Sequence, residues 1–531
     1  MSLSAPPLVP AVSTGAALLS VYDRTGIVEV ARVLVQRGVA IYATGGTRAH
    51  LSDAGIPVGD VGELTGFPPL FDGRVKTLHP NVFGAILADR TNAAHVAEAE
   101  KHGVPAIGTV IVNLYPFEET VAREGATLEE AIEQIDIGGV SLLRAAAKNY
   151  TNVTILSDPT QYAEFLASMP HGPDLALRRR YATRAFERTA EYDSAIARYL
   201  EAGLTANDLP GSLALTIPIE QPLRYGENPQ DRAAFYLARE AKLPEQLWGK
   251  ALSYNNLLDL DATLRLLVRA SNGRRDESRR ADPPMQRAAI VKHTVPCGVV
   301  ERASVAAAVR LALDADPVSA YGGIIAVDGT IDPAAAEALG EFFLEIVAAP
   351  AFTDEALARL KKKKNLRIMR YAKGMPERIA QELRVRSALG GVLAEDDDPR
   401  AAPEEWSVAS KRRPTADEWS DLTFAWDVVR HVKSNGVVIV NDGVTRGICA
   451  GQTNRVSAVK IAGHRAATFA LGGACASDGF FPFADGLIAA AEAGCTSVIA
   501  PGGSIRDAEV IAAADERNIA LVFSTYRYFL H

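Results

Sequence analysis

Cysteine is scarce. The 531 residues hold four, Cys297, Cys449, Cys475 and Cys495, none at a metal-ligand spacing from another. That excludes a disulfide framework and a zinc ribbon and fits a reducing, cytoplasmic setting. No apolar run reaches the roughly 18 residues of a membrane span. The first fifteen residues lack a basic segment, so 1–14 read as a loose tail rather than a signal peptide. Excess positive charge is missing too. Lys and Arg number 56 against 64 Asp and Glu, a net charge of −8. A general nucleic-acid binder needs a basic surface and is excluded, whereas a small phosphorylated ligand needs only local cations.

What is present is ordinary for a soluble globular protein, 48% hydrophobic and 23% charged, but too long for one core, so two to four domains are expected. The N-terminal third alternates strand and helix patterns: a strand over 17–21, a helix over 27–36, a strand over 39–43, then a second helix. That is the βαβα signature of an α/β domain with a parallel sheet. Thr44-Gly45-Gly46-Thr47 joins a strand to a helix, where converging N–H groups suit an anion, although a plain tight turn has the same composition. Asp72-Gly73-Arg74-Val75-Lys76-Thr77-Leu78-His79-Pro80 adds cations beside it. Further on come Asn113-Leu114-Tyr115-Pro116-Phe117 and Ile135-Asp136-Ile137-Gly138-Gly139. A helix follows in which Arg144 and Lys148 share one face at i, i+4. A strand over 153–156 and helices over 159–169 and 173–202 precede a Pro/Gly linker at 207–212, the expected domain boundary.

In the second part, the stretch Val291-Lys292-His293-Thr294-Val295-Pro296-Cys297-Gly298-Val299-Val300 sets an ammonium beside an imidazole at a strand end. Adjacent strand residues face opposite sides, so both serve one site only if the strand ends or bulges, as Pro296 and Gly298 suggest. A strand end merely capped by polar residues fits as well. This stretch is echoed by Val432-Lys433-Ser434-Asn435-Gly436-Val437-Val438, Ser319 to Asp328 by Ser477 to Asp485, and Glu345 to Pro350 by Ser497 to Pro501. The reading is an α/β domain over 15–209, two related α/β subdomains over 218–390 and 415–531, and a linker over 391–414. Lys361 to Lys364 read as a solvated face.

These motifs, with Arg224-Tyr225-Gly226-Glu227-Asn228-Pro229, Ala450-Gly451-Gln452 and Pro501-Gly502-Gly503-Ser504-Ile505-Arg506-Asp507, make nearly the whole chain resemble the bifunctional purine-biosynthesis enzymes that combine AICAR transformylase with IMP cyclohydrolase. The resemblance implies an N-terminal domain of methylglyoxal-synthase-like fold and a C-terminal transformylase of two cytidine-deaminase-like subdomains. Zinc should be absent, because Pro296-Cys297 lacks the second cysteine of a deaminase and no His-x-Glu precedes it. A deaminase is disfavoured on the same ground. A nucleotide-binding regulatory role for the N-terminal domain is the other reading, and the pairing of Lys76 with Asp136 and Lys148 favours an enzyme.

The resemblance further implies formyl transfer from 10-formyltetrahydrofolate to AICAR, giving FAICAR, and closure of FAICAR to IMP. His293 would be the base and Lys292 the proton shuttle or oxyanion donor, with Asn435 near the formyl oxygen. Lys76, Tyr115, Asp136 and Lys148 would serve ring closure. Ser20, Thr44, Gly45, Gly46, Thr47, Arg74, Thr77 and Gly138 would hold the cyclohydrolase substrate. Arg224, Tyr225, Asn256, Tyr321, Gly322, Glu345, Gln452, Phe480, Phe481 and Arg527 would contact nucleotide or folate. A homodimer is implied and a monovalent cation is left open; neither nucleic acid nor a membrane is a partner. Tyr22, Arg24 and Ala43 stand where the family usually has Ser, Lys and Ser, and Val295 where Asn is frequent, so altered phosphate contacts are expected.

Overall fold

The computed structural model describes residues 15–67, 70–71, 75–123, 125–202, 209, 211–238, 241–269, 285–396 and 406–531. Arg74, the tail 1–14 and parts of the expected linkers lie outside the described residues. The chain forms two compact units, Met1–Pro218 with Leu237–Ala241 and Ile219–Tyr236 with Lys242–His531.

In the first unit, β1 (Ala16–Val21), β2 (Ile41–Ala43), β3 (Gly59–Asp60), β4 (Ile107–Asn113) and β5 (Thr154–Leu156) form a parallel sheet in the order β3-β2-β1-β4-β5. β1 and β4 are central and covered on both faces, which is why their sequences are almost unbroken apolar runs. Helix α1 (Ile27–Gln36) buries Ile27, Val30, Ala31 and Leu34, a stripe at three- and four-residue spacing. The strand order reverses between β1 and β4, so their carboxyl ends border a crevice of the kind that binds ligands in open α/β sheets. Helix α2 (Gly45–Asp53) starts directly after β2 at that edge, and α3 (Gly138–Lys148) starts beside Thr77. The long α4 (Leu175–Ala202) buries Tyr192 completely. The Tyr192 hydroxyl donates to the Gln134 carbonyl at 2.7 Å and accepts from the Asp136 N–H at 2.8 Å, fixing the loop before α3.

The second unit is built on twelve strands. Its first half contributes β6 (Glu245–Trp248), β7 (Gln286–Lys292), β8 (Val295–Arg302), β9 (Ile324–Val327), β10 (Ile346–Ala349) and β11 (Arg367–Arg370). The second half contributes β12 (Ser407–Val408), β13 (Val437–Asn441), β14 (Val444–Cys449), β15 (Ala474–Ser477), β16 (Ser497–Pro501) and β17 (Ala520–Ser524). The order is β12-β17-β16-β15-β13-β14-β8-β7-β9-β10-β11-β6. Each half has a hairpin, an antiparallel neighbour, two parallel strands and an antiparallel edge, and the halves join where Val300 pairs with Val444.

The repeat is therefore real, but two of its three echoes are out of register. Topologically β7 matches β13, so the turn His293–Thr294 corresponds to Asp442–Gly443, not to Lys433–Asn435. Gly322–Gly323, before β9, corresponds to Gly472–Gly473, before β15; φ is +79° at Gly322 and +78° at Gly472. Only the third echo, β10 with β16, aligns. Sheet and helix also meet closely at equivalent places. A Cβ on Gly298 of β8 would lie 2.4 Å from the Ala312 carbonyl oxygen, and one on Gly447 of β14 would lie 2.0 Å from that of Ala462. Helix backbone cannot yield as a flexible side chain does, so Gly447→Ala should cost about 2–3 kcal/mol by overpacking. A melting curve within 1 °C (roughly) of the unsubstituted chain would refute that account.

Candidate functional sites

The first centre lies at the switch-point edge of the parallel sheet. Ser20 and Thr44 hydroxyls are 2.9 Å apart. α2 begins at Gly45 with its first N–H groups unused by the helix, a cradle for an anion. An Arg24 Nη lies 2.7 Å from where a Gly46 Cβ would be, so the guanidinium lies over the opening of α2. Thr47 does not offer its hydroxyl. That group accepts from Val21 N–H at 2.9 Å and donates to the Val21 carbonyl at 3.1 Å, and the residue is buried. Only its backbone N–H remains for a ligand. Asn113, ending β4, takes the N–H groups of Tyr22 and Asp23 at 2.6 and 2.9 Å and so locks β1 to β4. In the sequence Arg24 stands out only as a departure; the structure places its guanidinium over the start of α2.

Beside this cradle stand Asp136, Tyr115, Lys76 and Thr77. Asp136 accepts from the Gly139 N–H at 2.7 Å at the start of α3. Burial raises its carboxyl above the usual carboxylate range, while the Gly139 and Tyr115 N–H groups and the Lys76 ammonium oppose the rise. Burial, then the Asp136 carboxylate, push the Tyr115 phenol up. Gly138 abuts Thr77 Oγ1, 3.0 Å from where a Cβ would be. Lys148 is not part of this group. It ends α3, ten residues beyond Gly138, about 15 Å along the axis at 1.5 Å per residue. There it lines a separate groove with Arg144 and Arg179.

The second centre is the β7–β8 hairpin. The strand breaks at His293 and Thr294, whose φ values are +55° and +58°, and β8 starts at Val295 before the proline. Pro296 and Gly298 lie inside β8, flanking a register shift at Cys297. Two left-handed residues make the tight two-residue turn that strand twist favours. Neither is glycine, and Thr is β-branched, so the turn needs support. Asp259 supplies it, accepting the His293 N–H at 3.2 Å and the Thr294 N–H at 2.7 Å. Asp259 lies on α5 (Tyr254–Arg265), which packs over β7 and β9. The Lys292 ammonium donates to the Tyr321 carbonyl at 2.7 Å, and Gly322 makes the next bend.

Strand pairing brings Asn435 to the same end of the sheet. Val437 pairs with Cys449, so the start of β13 and the His293 turn lie along one edge, two to three strand spacings apart, about 10–14 Å. The Asn435 amide is held at both ends, accepting from Arg455 at 2.6 Å and donating to the Gln452 carbonyl at 2.9 Å. Phe480 is part-exposed at this edge, whereas Phe481 is 2% exposed and packs in the core against Gly486, so its ring is a core side chain rather than a ligand contact. Asn256 is likewise structural: with Ser253 it closes the capping box of α5. Glu345 pairs with Arg367 at 2.6 Å. Arg224 stacks 4.8 Å over Tyr225, and Arg527 4.9 Å over Phe529. Among the described residues no three His, Cys, Asp or Glu side chains gather as metal ligands, and no helix is long and apolar enough to cross a membrane.

Two family models match the chain: the MGS-like domain over residues 26–141, and the AICARFT/IMPCHase bienzyme over residues 146–465. Relatives named bifunctional purine biosynthesis protein PurH span it almost entirely. That of Desulfitobacterium hafniense is 46% identical, covering 97% of this chain and 99% of its own length. That of Jannaschia sp. is 46% identical over 97% and 98%, and that of Prochlorococcus marinus 47% over 97% and 99%. With over half of its residues matched by one model and nearly all of them by these relatives, the chain belongs to the AICARFT/IMPCHase bienzyme family, the AICAR formyltransferases and IMP cyclohydrolases of purine biosynthesis.

Proposed function

We propose that each centre carries one of the two reactions. The observation behind this is their separation: an anion cradle beside a carboxyl–phenol–ammonium group in one unit, and an ammonium–imidazole turn in the other. At the hairpin, the AICAR amine attacks the formyl carbon of 10-formyltetrahydrofolate. A C–N bond forms to the amine, the bond to the folate nitrogen breaks, and His293 takes the amine proton and returns a proton to the departing folate nitrogen. A neutral imidazole offers a basic ring nitrogen, which suits a general base. Lys292 stabilises the oxyanion of the tetrahedral intermediate. Tyr321, Phe480 and the Arg224–Tyr225 pair form the walls for nucleotide and folate, with Gln452 and Arg455 orienting Asn435.

At the switch-point edge, the FAICAR phosphate rests on Ser20, Thr44, the α2 N–H groups and Arg24, to which the sequence motif adds Arg74. The carboxamide nitrogen attacks the formyl carbon and water leaves. Asp136 and Tyr115, with the Lys76 ammonium beside Asp136, accept and return the protons. Nothing in these steps calls on zinc or a monovalent cation. The reading includes a cytoplasmic homodimer, in which Lys148, too far along α3 to reach its own Asp136, is available to a second copy.

Incubation of the purified protein with AICAR and 10-formyltetrahydrofolate, following tetrahydrofolate and IMP, tests both halves; FAICAR accumulating without IMP would defeat the second alone. His293→Ala should abolish formyl transfer while FAICAR closure stays within twofold (roughly). Asp259→Ala, which loosens the turn without touching the imidazole, should lower formyl-transfer kcat by about 10–100-fold. Arg24→Ala should raise the FAICAR KM by about 10-fold, one charge-assisted contact, with kcat nearly unchanged. Asp136→Asn should lower ring-closure kcat at least ~100-fold. Its stability should move the other way. A carboxyl with a raised folded-state pKa binds more protons folded than unfolded, so the native chain loses stability as pH rises from the ordinary carboxylate value through the raised one. The variant lacks that loss, and its melting temperature should gain on the parent between pH 4 and 7 (approximate bounds); an equal gap at both ends contradicts the assignment.

A further inference from the structure

A cleft of about 360 Å³ opens beside the His293 turn, between the two halves of the second unit's sheet. It is lined by Lys292, His293 and Cys297 from the hairpin, Asp316 before a short helix, Arg446 on β14 and Arg465 on the helix Arg455–Ala466. Three of these side chains are cations, and the direct contacts they make are to neutral groups. Lys292 donates to a carbonyl. Arg465 uses one Nη on the Ile448 carbonyl at 2.8 Å. Arg446 lies 4.5 Å over the Phe469 ring, and its Nε is buried without a hydrogen-bond partner. One carboxylate stands on the wall: Asp316, which accepts the Ser319 N–H at 2.9 Å and its hydroxyl at 2.6 Å. Burial, and then the neighbouring Arg302, hold the Arg446 guanidinium below its ordinary value, while Asp442, Asp314 and Asp421 oppose the shift from outside the cleft lining. Three cations facing one lining carboxylate in a partly desolvated cleft leave net positive charge that an anion would offset.

We propose that this cleft is an oxyanion subsite of the transformylase centre, holding a carboxylate or phosphate of a substrate whose reacting end lies at Lys292 and His293. The proposal rests on the assignment of formyl transfer to the hairpin. Two sources fit that chemistry: the nucleotide's phosphate and the glutamate carboxylates of the folate. Arg446 and Arg465 would act through binding, far from the reacting atoms, so they set affinity rather than the chemical step.

The test is steady-state formyl transfer by the full chain carrying Arg446→Met or Arg465→Met, which keep apolar stems, with Arg446→Lys as the conservative variant. FAICAR closure in the same preparations reports that the chain is folded. The KM of one substrate should rise about 10–100-fold, with kcat changing far less, and Arg446→Lys should recover part of the loss. A rise in the AICAR KM identifies the phosphate. A rise in the folate KM, with loss of any preference for triglutamate over monoglutamate donor, identifies the tail. Inorganic phosphate should inhibit the parent competitively, and the Met variants less. Unchanged KM values for both substrates, or a fall in kcat alone, would overturn the subsite. Absence of formyl transfer from the unsubstituted protein would instead strike the reading on which it rests.

Discussion

Asp259 receiving two adjacent backbone N–H groups is the contact on which the second centre depends. Without it, His293 and Thr294 would occupy left-handed conformations costing roughly 1–2 kcal/mol each. Hydrogen bonds to a charged acceptor contribute roughly 1.5–3 kcal/mol apiece, enough to offset that cost. The consequence is positional. A two-residue turn directs Lys292 back along the sheet end to the Tyr321 carbonyl, while His293 projects from the tip. An ammonium and an imidazole that would face opposite sides of a continuing strand are thereby gathered at one edge.

The same device appears in the other half, with its chemistry removed. Asp421, on the helix Ala416–Val429, accepts the N–H groups of Asp442 and Gly443 at 2.8 Å each. Here a glycine takes one of the positive φ values, and no imidazole is present. The two hairpins run antiparallel across the Val300–Val444 pair, so equivalent features lie at opposite ends of the sheet. That explains how one edge joins the turn of the first hairpin to the opening of the second. Arg287 binds the halves together from below. Fully buried on β7, it bonds Asp427 at 2.6 Å and Glu301 at 2.9 Å, and these carboxylates keep it charged. Removing either carboxylate would leave the buried guanidinium with one acidic partner instead of two.

The parallel sheet was legible almost residue by residue, because buried parallel strands are continuous apolar runs and α1 carries one clean stripe. The repeat was legible as a fact but not in register. Short echoes rich in Gly, Ser and Asp follow turn chemistry, and similar turns recur at both ends of equivalent strands. Thus Ser477–Gly479, after β15, imitated Ser319–Gly323, before β9. Side-chain roles were the least legible. Thr47 and Phe481 stand in motifs that invite ligand contacts, yet a hydroxyl turned to β1 and a ring packed on Gly486 are settled by tertiary packing, which no local spacing encodes. Lys148 was grouped with Asp136 by motif, although the length of α3 alone separates them.

A chain with net charge −8 can still recognise anions because field depends on placement and solvation rather than on the sum. Arg24 lies over open N–H groups at α2, and Arg446 and Arg465 line a cleft together with Lys292. Many other cations are spent in pairs: Arg188 with Glu118, Arg412 with Glu418, Arg367 with Glu345. What distinguishes the two groups is the direct contact: a carboxylate at 2.6–2.7 Å for the pairs, a carbonyl or an aromatic ring for Arg465 and Arg446. Attraction for a phosphate or carboxylate is therefore concentrated where a cation lacks a neighbour of its own, and the surrounding acidic surface repels the same ligands elsewhere.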